Sequence, residues 1–160
     1  MKPKSKTAEI YLLVFLIAIE SCGALFGGYN LMNDPTGESI SLPIELLENS
    51  VFRNYSIPGI ILFTVLGIFP LFLVYPLLSK PNWPPINLLN IYKHYHWAWT
   101  YSVYTAIILI IWINIQMLLL EGGSRIQGAF GLLGIIILII ALLPSVKRYY
   151  RLTTSTKHHS

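Results

Sequence analysis

Hydrophobic and polar positions divide the chain into four long apolar runs joined by three polar connections. The runs cover about residues 9–29, 57–79, 97–120 and 126–143. Transmembrane strands alternate polar and apolar residues over about ten positions. These runs stay apolar for about twenty, which predicts helices. At 1.5 Å per residue the first run rises roughly 31 Å, enough to cross a bilayer. The pattern predicts an all-α membrane protein, with four transmembrane helices in a compact bundle forming a single integral domain over 1–160. No internal repeat is evident, although the helices fall into two hairpins.

The punctuation agrees with these limits. Lys2, Lys4 and Lys6 precede the first run, as in a signal peptide, but the run is too long and ends in no small-residue cleavage site. A retained helix is expected. Pro58-Gly59 opens the second run, where a proline's missing N–H is harmless, and Pro70 and Pro76 should kink its later half. Glu121-Gly122-Gly123 stops the third. Ser124 and Gln127 have the spacing of a capping box for the fourth, and Pro144 marks its end.

The connections carry their own signals. In 30–56, Asp34-Pro35-Thr36-Gly37 is turn chemistry. Pro43 to Phe52 can form a short amphipathic helix, with Ile44, Leu47 and Val51 on one face and Glu45, Glu48 and Asn49 on another. That helix is expected across the outer mouth of the bundle. Asn54-Tyr55-Ser56 matches a glycosylation acceptor, a three-residue pattern of low specificity. In 80–96, Pro81, Pro84 and Pro85 make a stiff connector. Asn87 is then placed to cap an interfacial helix with the stripe Leu88, Leu89, Tyr92 and Tyr95.

Asp34 to Gly37, Leu42-Pro43 and Pro58-Gly59 together resemble the external loop of small bacterial four-span membrane proteins. Those place Asp-Pro-Ser/Thr-Gly, a Leu-Pro pair and a Pro-Gly helix start between their first two spans. The resemblance covers about a quarter of the chain. It implies the four-span fold and a bacterial origin, and it carries no activity.

Composition narrows the class. Of 160 residues, 54% are hydrophobic and 11% charged, against about 25% charged in soluble domains. The mean hydropathy of +0.61 agrees. These values exclude a soluble enzyme, a disordered chain and a nucleic-acid-binding domain. A single cysteine, Cys22, cannot form an intrachain disulfide, a CxxC pair or a thiolate cluster. The charges are segregated. Lys2, Lys4, Lys6, Lys80, Lys93, Lys147, Arg148, Arg151 and Lys157 fall on one side, nine in all, with only Arg53 and Arg125 on the other. The positive-inside rule then puts both termini in the cytoplasm, the loop 80–96 and tail 144–160 with them, and the loop 30–56 outside. The expected location is the bacterial inner (plasma) membrane. The basic tail fits retention of topology and anionic lipid headgroups better than nucleic acid.

Polar groups at membrane depth are the candidate chemistry. Glu20 lies about ten residues into the first run, with Gly23, Ala24 and Gly27 on the same stripe. Small residues allow close helix approach, so Glu20 is expected to face protein. It is read either as a proton or cation site or as a neutral, hydrogen-bonded carboxyl that ties helices together; the second is preferred. Thr64, Tyr104 and Thr105 match its depth, with Tyr101 nearby, while Asn114 and Gln116 lie further out. Tyr104, Ile107, Ile111, Asn114 and Leu118 form one helical stripe. Gly128, Gly131 and Gly134 suggest tight packing of the fourth run, within the bundle or against another copy. His94 and His96 are spaced as i and i+2, which do not share a helix face, so headgroup-level histidines are expected rather than metal ligands. No catalytic, metal or cofactor set is legible. The expected function is a non-enzymatic membrane subunit or accessory protein, in contact with lipid, in a homo-oligomer or larger complex. A small oligomeric transporter or channel using Glu20 is the alternative. A membrane enzyme acting on a lipid, with Glu20, Asn114 and the tyrosines in its pocket, is the third reading.

Overall fold

The computed structural model describes residues 6–42, 44–48, 50–119 and 125–152. Four helices are long and apolar enough to cross a membrane: α1 (Ala8–Asn33), α2 (Ser56–Ser79), α3 (Trp97–Leu119) and α4 (Arg125–Leu142). A short helix α5 (Pro144–Tyr150) follows α4. α1 packs along the length of α2 and against α4, and α3 packs on α4 and on the later half of α2. The two ends differ in charge, and are called here the basic end (Lys80, Lys93, Lys147, Arg148, Arg151) and the acidic end (Asp34, Glu38, Glu45, Glu48).

Prolines shape α2. Pro58 sits in its first turn, where no N–H is needed. Pro70 has no N–H for the Leu66 carbonyl, and its ring would crowd that carbonyl in a regular α-turn. The helix widens just before it: Leu62–Ile68 is π-helical, with the Phe69 N–H bonded to the Thr64 carbonyl. Pro144 likewise drives Leu143 out of helical conformation, to ψ 140°, which separates α4 from α5.

α1 and α2 meet through glycines. A Cβ on Gly28 would lie 2.6 Å from the Phe63 nitrogen and 2.8 Å from the Gly59 carbonyl oxygen, so two backbones touch there. Gly23, expected at a close helix approach, faces the Phe130 side chain of α4. Gly131 and Gly134 pack on Ile113 and Ile110 of α3, whereas a Cβ on Gly128 would meet nothing within 4 Å among the described residues. The Glu121–Gly123 stop and the Ser124 cap lie outside the described residues.

Two expected loop helices do not form. Between α1 and α2 the described residues form the 3-10 turns Glu38–Ile40 and Ile44–Leu47 and no α-helix. Leu47 alone drops inward, against Leu31 and Tyr55, while Ile44 and Val51 stay exposed, so the expected apolar face is never assembled. Pro43 and Asn49 lie outside the described residues. Between α2 and α3 a 3-10 turn, Pro84–Leu89, ends at Asn90. Asn87 lies inside that turn rather than capping a helix, and Leu88 and Leu89 are exposed.

Candidate functional site

Among the described residues the core has three apolar clusters: two along the helices, and a third of Leu31, Leu47 and Tyr55 under the loop at the acidic end. The larger, toward the basic end, includes Ile17, Leu73, Tyr101 and Ile137. The smaller, toward the acidic end, contains Ala24, Leu66, Leu109 and Ile113 as its buried members. Each helix crosses from one cluster to the other within about two turns. On α1 the crossing residue is Glu20, between Ile17 and Ala24. On α3 the larger cluster runs through Tyr101 and Val103 to Ala106 and the smaller begins at Ile108 and Leu109, so that Thr105 lies beside the last turn of the larger one. On α2 the corresponding residue is Pro70 and on α4 Gly134, neither of which offers a polar side chain. Glu20 and Thr105 are thus two buried polar residues near the boundary of these clusters, one on α1 and one on α3.

Glu20 is 0% exposed and Thr105 is 1% exposed. Both Glu20 oxygens and the Thr105 Oγ1 are buried without a hydrogen-bond partner among the described residues. The expected hydrogen-bonded carboxyl is therefore not what the structure holds. An ionised carboxylate at such depth costs about 3 kcal/mol on insertion scales, and an orphaned polar group costs about 1–3 kcal/mol.

The other sequence candidates do not converge on Glu20 or Thr105. Thr64 is exposed and its hydroxyl donates to the Ile60 carbonyl at 2.7 Å. Asn114 is exposed and its amide donates to the Ile110 carbonyl at 2.8 Å. Tyr104 reaches toward the basic end and donates to the Leu89 carbonyl at 2.9 Å. Tyr101 donates to the Ile86 carbonyl. The stripe Ile107, Ile111, Asn114 and Leu118 is the exposed face of α3, whereas Thr105, Leu109 and Ile113 turn inward. Gln116 is half-buried at the acidic end, where Leu31, Leu47, Tyr55, Pro58 and Trp112 complete an apolar recess. The Trp112 Nε1, also buried, has no partner among the described residues.

At the basic end the sequence shows a gathering of aromatics, Trp83, Tyr92, Tyr95, Trp97, Trp99, Tyr149 and Tyr150, but not the hydrogen-bonded network that joins this end. Asn90, buried, donates to the Asn87 Oδ1 at 2.9 Å and to the Tyr95 carbonyl at 3.0 Å. Its Oδ1 accepts from the Tyr92 N–H and from the Thr100 hydroxyl. The segment after α5 pairs back on this loop: the His96 N–H donates to the Tyr150 carbonyl and the Leu152 N–H to the His94 carbonyl. Tyr150 donates to the Leu77 carbonyl at 2.6 Å and the Trp99 indole to the Ala141 carbonyl at 2.7 Å, satisfying carbonyls that helix ends leave free. Trp83 stacks between Phe72 and Trp97. The Lys80 ammonium lies 3.8 Å from the Tyr149 ring centre.

His96 belongs to this network rather than to a metal. Its Nδ1 accepts the Ala98 N–H, capping α3, which assigns the proton to Nε2, 3.1 Å from the Pro81 carbonyl oxygen. Burial, and secondarily the nearby Lys80 charge, push its pKa below the usual histidine value, consistent with a neutral ring. His94 is exposed. Among the described residues no three His, Cys, Asp or Glu side chains are grouped to hold a metal ion.

At the acidic end the Asp34 turn is built as its residues dictate. One carboxylate oxygen accepts from the Thr36 N–H and hydroxyl, the other from the Ser39 N–H at 2.7 Å. These bonds hold the Asp34 carboxyl down at a pKa of about 2. Gly37 takes the left-handed φ of 82° that the turn requires.

The architecture is an all-α bundle whose four long helices are apolar enough to cross a membrane. No family model, curated protein or solved structure matches the chain.

Proposed function

We propose that this chain is a multi-pass protein of the bacterial inner membrane, with its basic end and both termini in the cytoplasm, acting as a non-enzymatic subunit or accessory protein of a membrane assembly. The observation that carries the functional part is the dispersal of its polar side chains. Ser21, Thr64 and Asn114, on three different helices, each donate to the carbonyl four residues back on their own helix. Side chains engaged in this way ease their own burial in apolar surroundings and are not aimed at a shared substrate. The nine-to-two division of Lys and Arg supports the orientation. Anionic lipid headgroups suit the basic end, where Lys80 and Lys147 lie over tyrosine rings. Native mass spectrometry of the protein ejected directly from its own membranes tests the reading. A complex of fixed stoichiometry is expected; a bare monomer carrying only lipid would overturn it.

A further inference from the structure

We propose that the connection 81–92 is a lipid anchor: its backbone is tied to the flank of α2 and α3, and Leu88, Leu89 and Ile91 enter the hydrocarbon edge of the leaflet at the basic end. The proposal rests on the reading of the chain as a membrane protein. The three side chains are 81%, 72% and 67% exposed. Water is a poor surrounding for a contiguous patch of large aliphatic groups. They are not the stripe of a helix, because Tyr92 and Tyr95, expected beside Leu88 and Leu89, pack on Trp99 instead.

The connection doubles back along the bundle instead of projecting from its end. The Trp83 ring stacks on Phe72 and Tyr75 of α2 and on Trp97 of α3. The Ile86 carbonyl accepts from the Tyr101 hydroxyl, and the Leu89 carbonyl accepts from the Tyr104 hydroxyl. Phe72 lies about two turns before the end of α2 and Tyr104 about two turns after the start of α3. The flank is apolar there, with Phe72, Tyr75 and Ile107 exposed. With the four helices across a bilayer this flank faces lipid, and a segment lying on it meets the same lipid.

The backbone is suited to that setting. Hydrocarbon offers neither donors nor acceptors, so irregular chain at membrane depth must satisfy its polar groups within the protein. Pro81, Pro84 and Pro85 have no N–H to satisfy. The Pro81 carbonyl accepts from the Trp97 indole at 3.2 Å, the Trp83 carbonyl from the Ile86 N–H, and the Asn87 carbonyl from the Asn90 N–H and the Lys93 ammonium. A loop surrounded by water has no need of two tyrosine hydroxyls on its carbonyls, since water would serve. Charge agrees: residues 80–96 contain Lys80 and Lys93 and no Asp or Glu, which suits anionic headgroups beside the inserted side chains.

Spin-label accessibility tests the proposal. The full chain, with Cys22→Ser as background, is placed in nanodiscs of phosphatidylethanolamine and phosphatidylglycerol. It carries one nitroxide at a time, on Leu88→Cys, Ile91→Cys, Ile107→Cys or Glu38→Cys. Oxygen concentrates in lipid and a nickel chelate in water. The oxygen-to-nickel ratio at Leu88→Cys and Ile91→Cys should approach that at Ile107→Cys and exceed that at Glu38→Cys several-fold. Ratios like that of Glu38→Cys, with Ile107→Cys in lipid, overturn the anchor alone. Labels shielded from both reagents also overturn it, because they place a protein contact on the patch. Should Ile107→Cys itself read as water, the membrane reading falls and the anchor with it. A second arm adds Tyr104→Phe, which removes the bond to the Leu89 carbonyl. The ratio at Leu88→Cys should then fall several-fold while that at Ile107→Cys holds. An unchanged ratio at Leu88→Cys overturns the tie that holds the segment in lipid.

Discussion

Asp34 and Glu20 carry the same carboxyl group in opposite surroundings. Asp34 accepts three hydrogen bonds at an exposed turn, so its charged form is favoured and its pKa falls from 3.8 to about 2. The sign of its pH dependence follows. A lowered folded pKa contributes order that is complete above the unfolded value and is lost as pH falls through the folded one. Exchange of the Ser39 amide, corrected for its intrinsic rate, should stay slow down to about pH 4 and quicken toward about pH 2. Asp34→Asn should abolish that dependence, and an amide equally protected at both values would remove Asp34 from its role. Glu20 accepts no bond among the described residues. Replacing a buried orphan by an apolar side chain of similar shape removes a desolvation cost without opening a cavity. Glu20→Met should therefore raise stability in detergent by about 1–3 kcal/mol. A loss of stability would mean that Glu20 holds the helices together after all.

Between residues and the whole, the informative scale is the helix and its neighbours. Gly28 meets backbone on α2, which cannot swing aside, whereas Gly23 meets the tip of the Phe130 ring, which can. Gly28→Ala should thus cost about 1–3 kcal/mol, and Gly23→Ala clearly less, in thermal unfolding of the detergent-solubilised protein; equal losses would show that α1 and α2 are not in backbone contact. The sequence displayed a small-residue stripe but not its exact seam, because Gly27 and Gly28 are adjacent and only the partner helix decides which is inside. Legibility at this scale tracks locality. The Pro58 start, the Pro144 break and the Asp34 turn are local and were readable from type and spacing. The two loop helices were misread because their apolar periodicity was real but their backbones are drawn into other contacts. Leu47 is held by Leu31 and Tyr55, and Asn90 is spent on Asn87, Tyr92, Tyr95 and Thr100. Pairing of Tyr150 and Leu152 with His96 and His94 spans more than fifty residues and leaves no local signal. Of the candidate site, the burial of Glu20 was legible and Thr105 was named beside it, but so were Thr64 and Tyr104, because position along a helix says nothing of which face a residue takes. Thr64 is exposed and bonded to its own helix, whereas Thr105 is buried.

At the scale of the molecule, the asymmetry of the two ends ties architecture to orientation. The basic end collects the aromatic stack, the capped helix termini and the lysines over tyrosine rings. Aromatic side chains with polar tips and cationic groups with apolar stems both suit the headgroup region, and excess Lys and Arg mark the side that is not translocated. The acidic end keeps a compact turn and loop with Glu38 and Glu45 exposed. In the proposed membrane setting, turning the molecule over would require moving the basic groups across the bilayer, and this supports the proposed orientation. The check needs only two accessible positions. With Cys22→Ser as background, single cysteines at the exposed Glu38 and Leu152 report the two ends. An impermeant thiol reagent added to intact cells should label the Glu38→Cys protein and spare the Leu152→Cys protein, which should react only after the cells are lysed. Labelling of Leu152→Cys in intact cells, with Glu38→Cys spared, would place the basic end outside and invert the orientation.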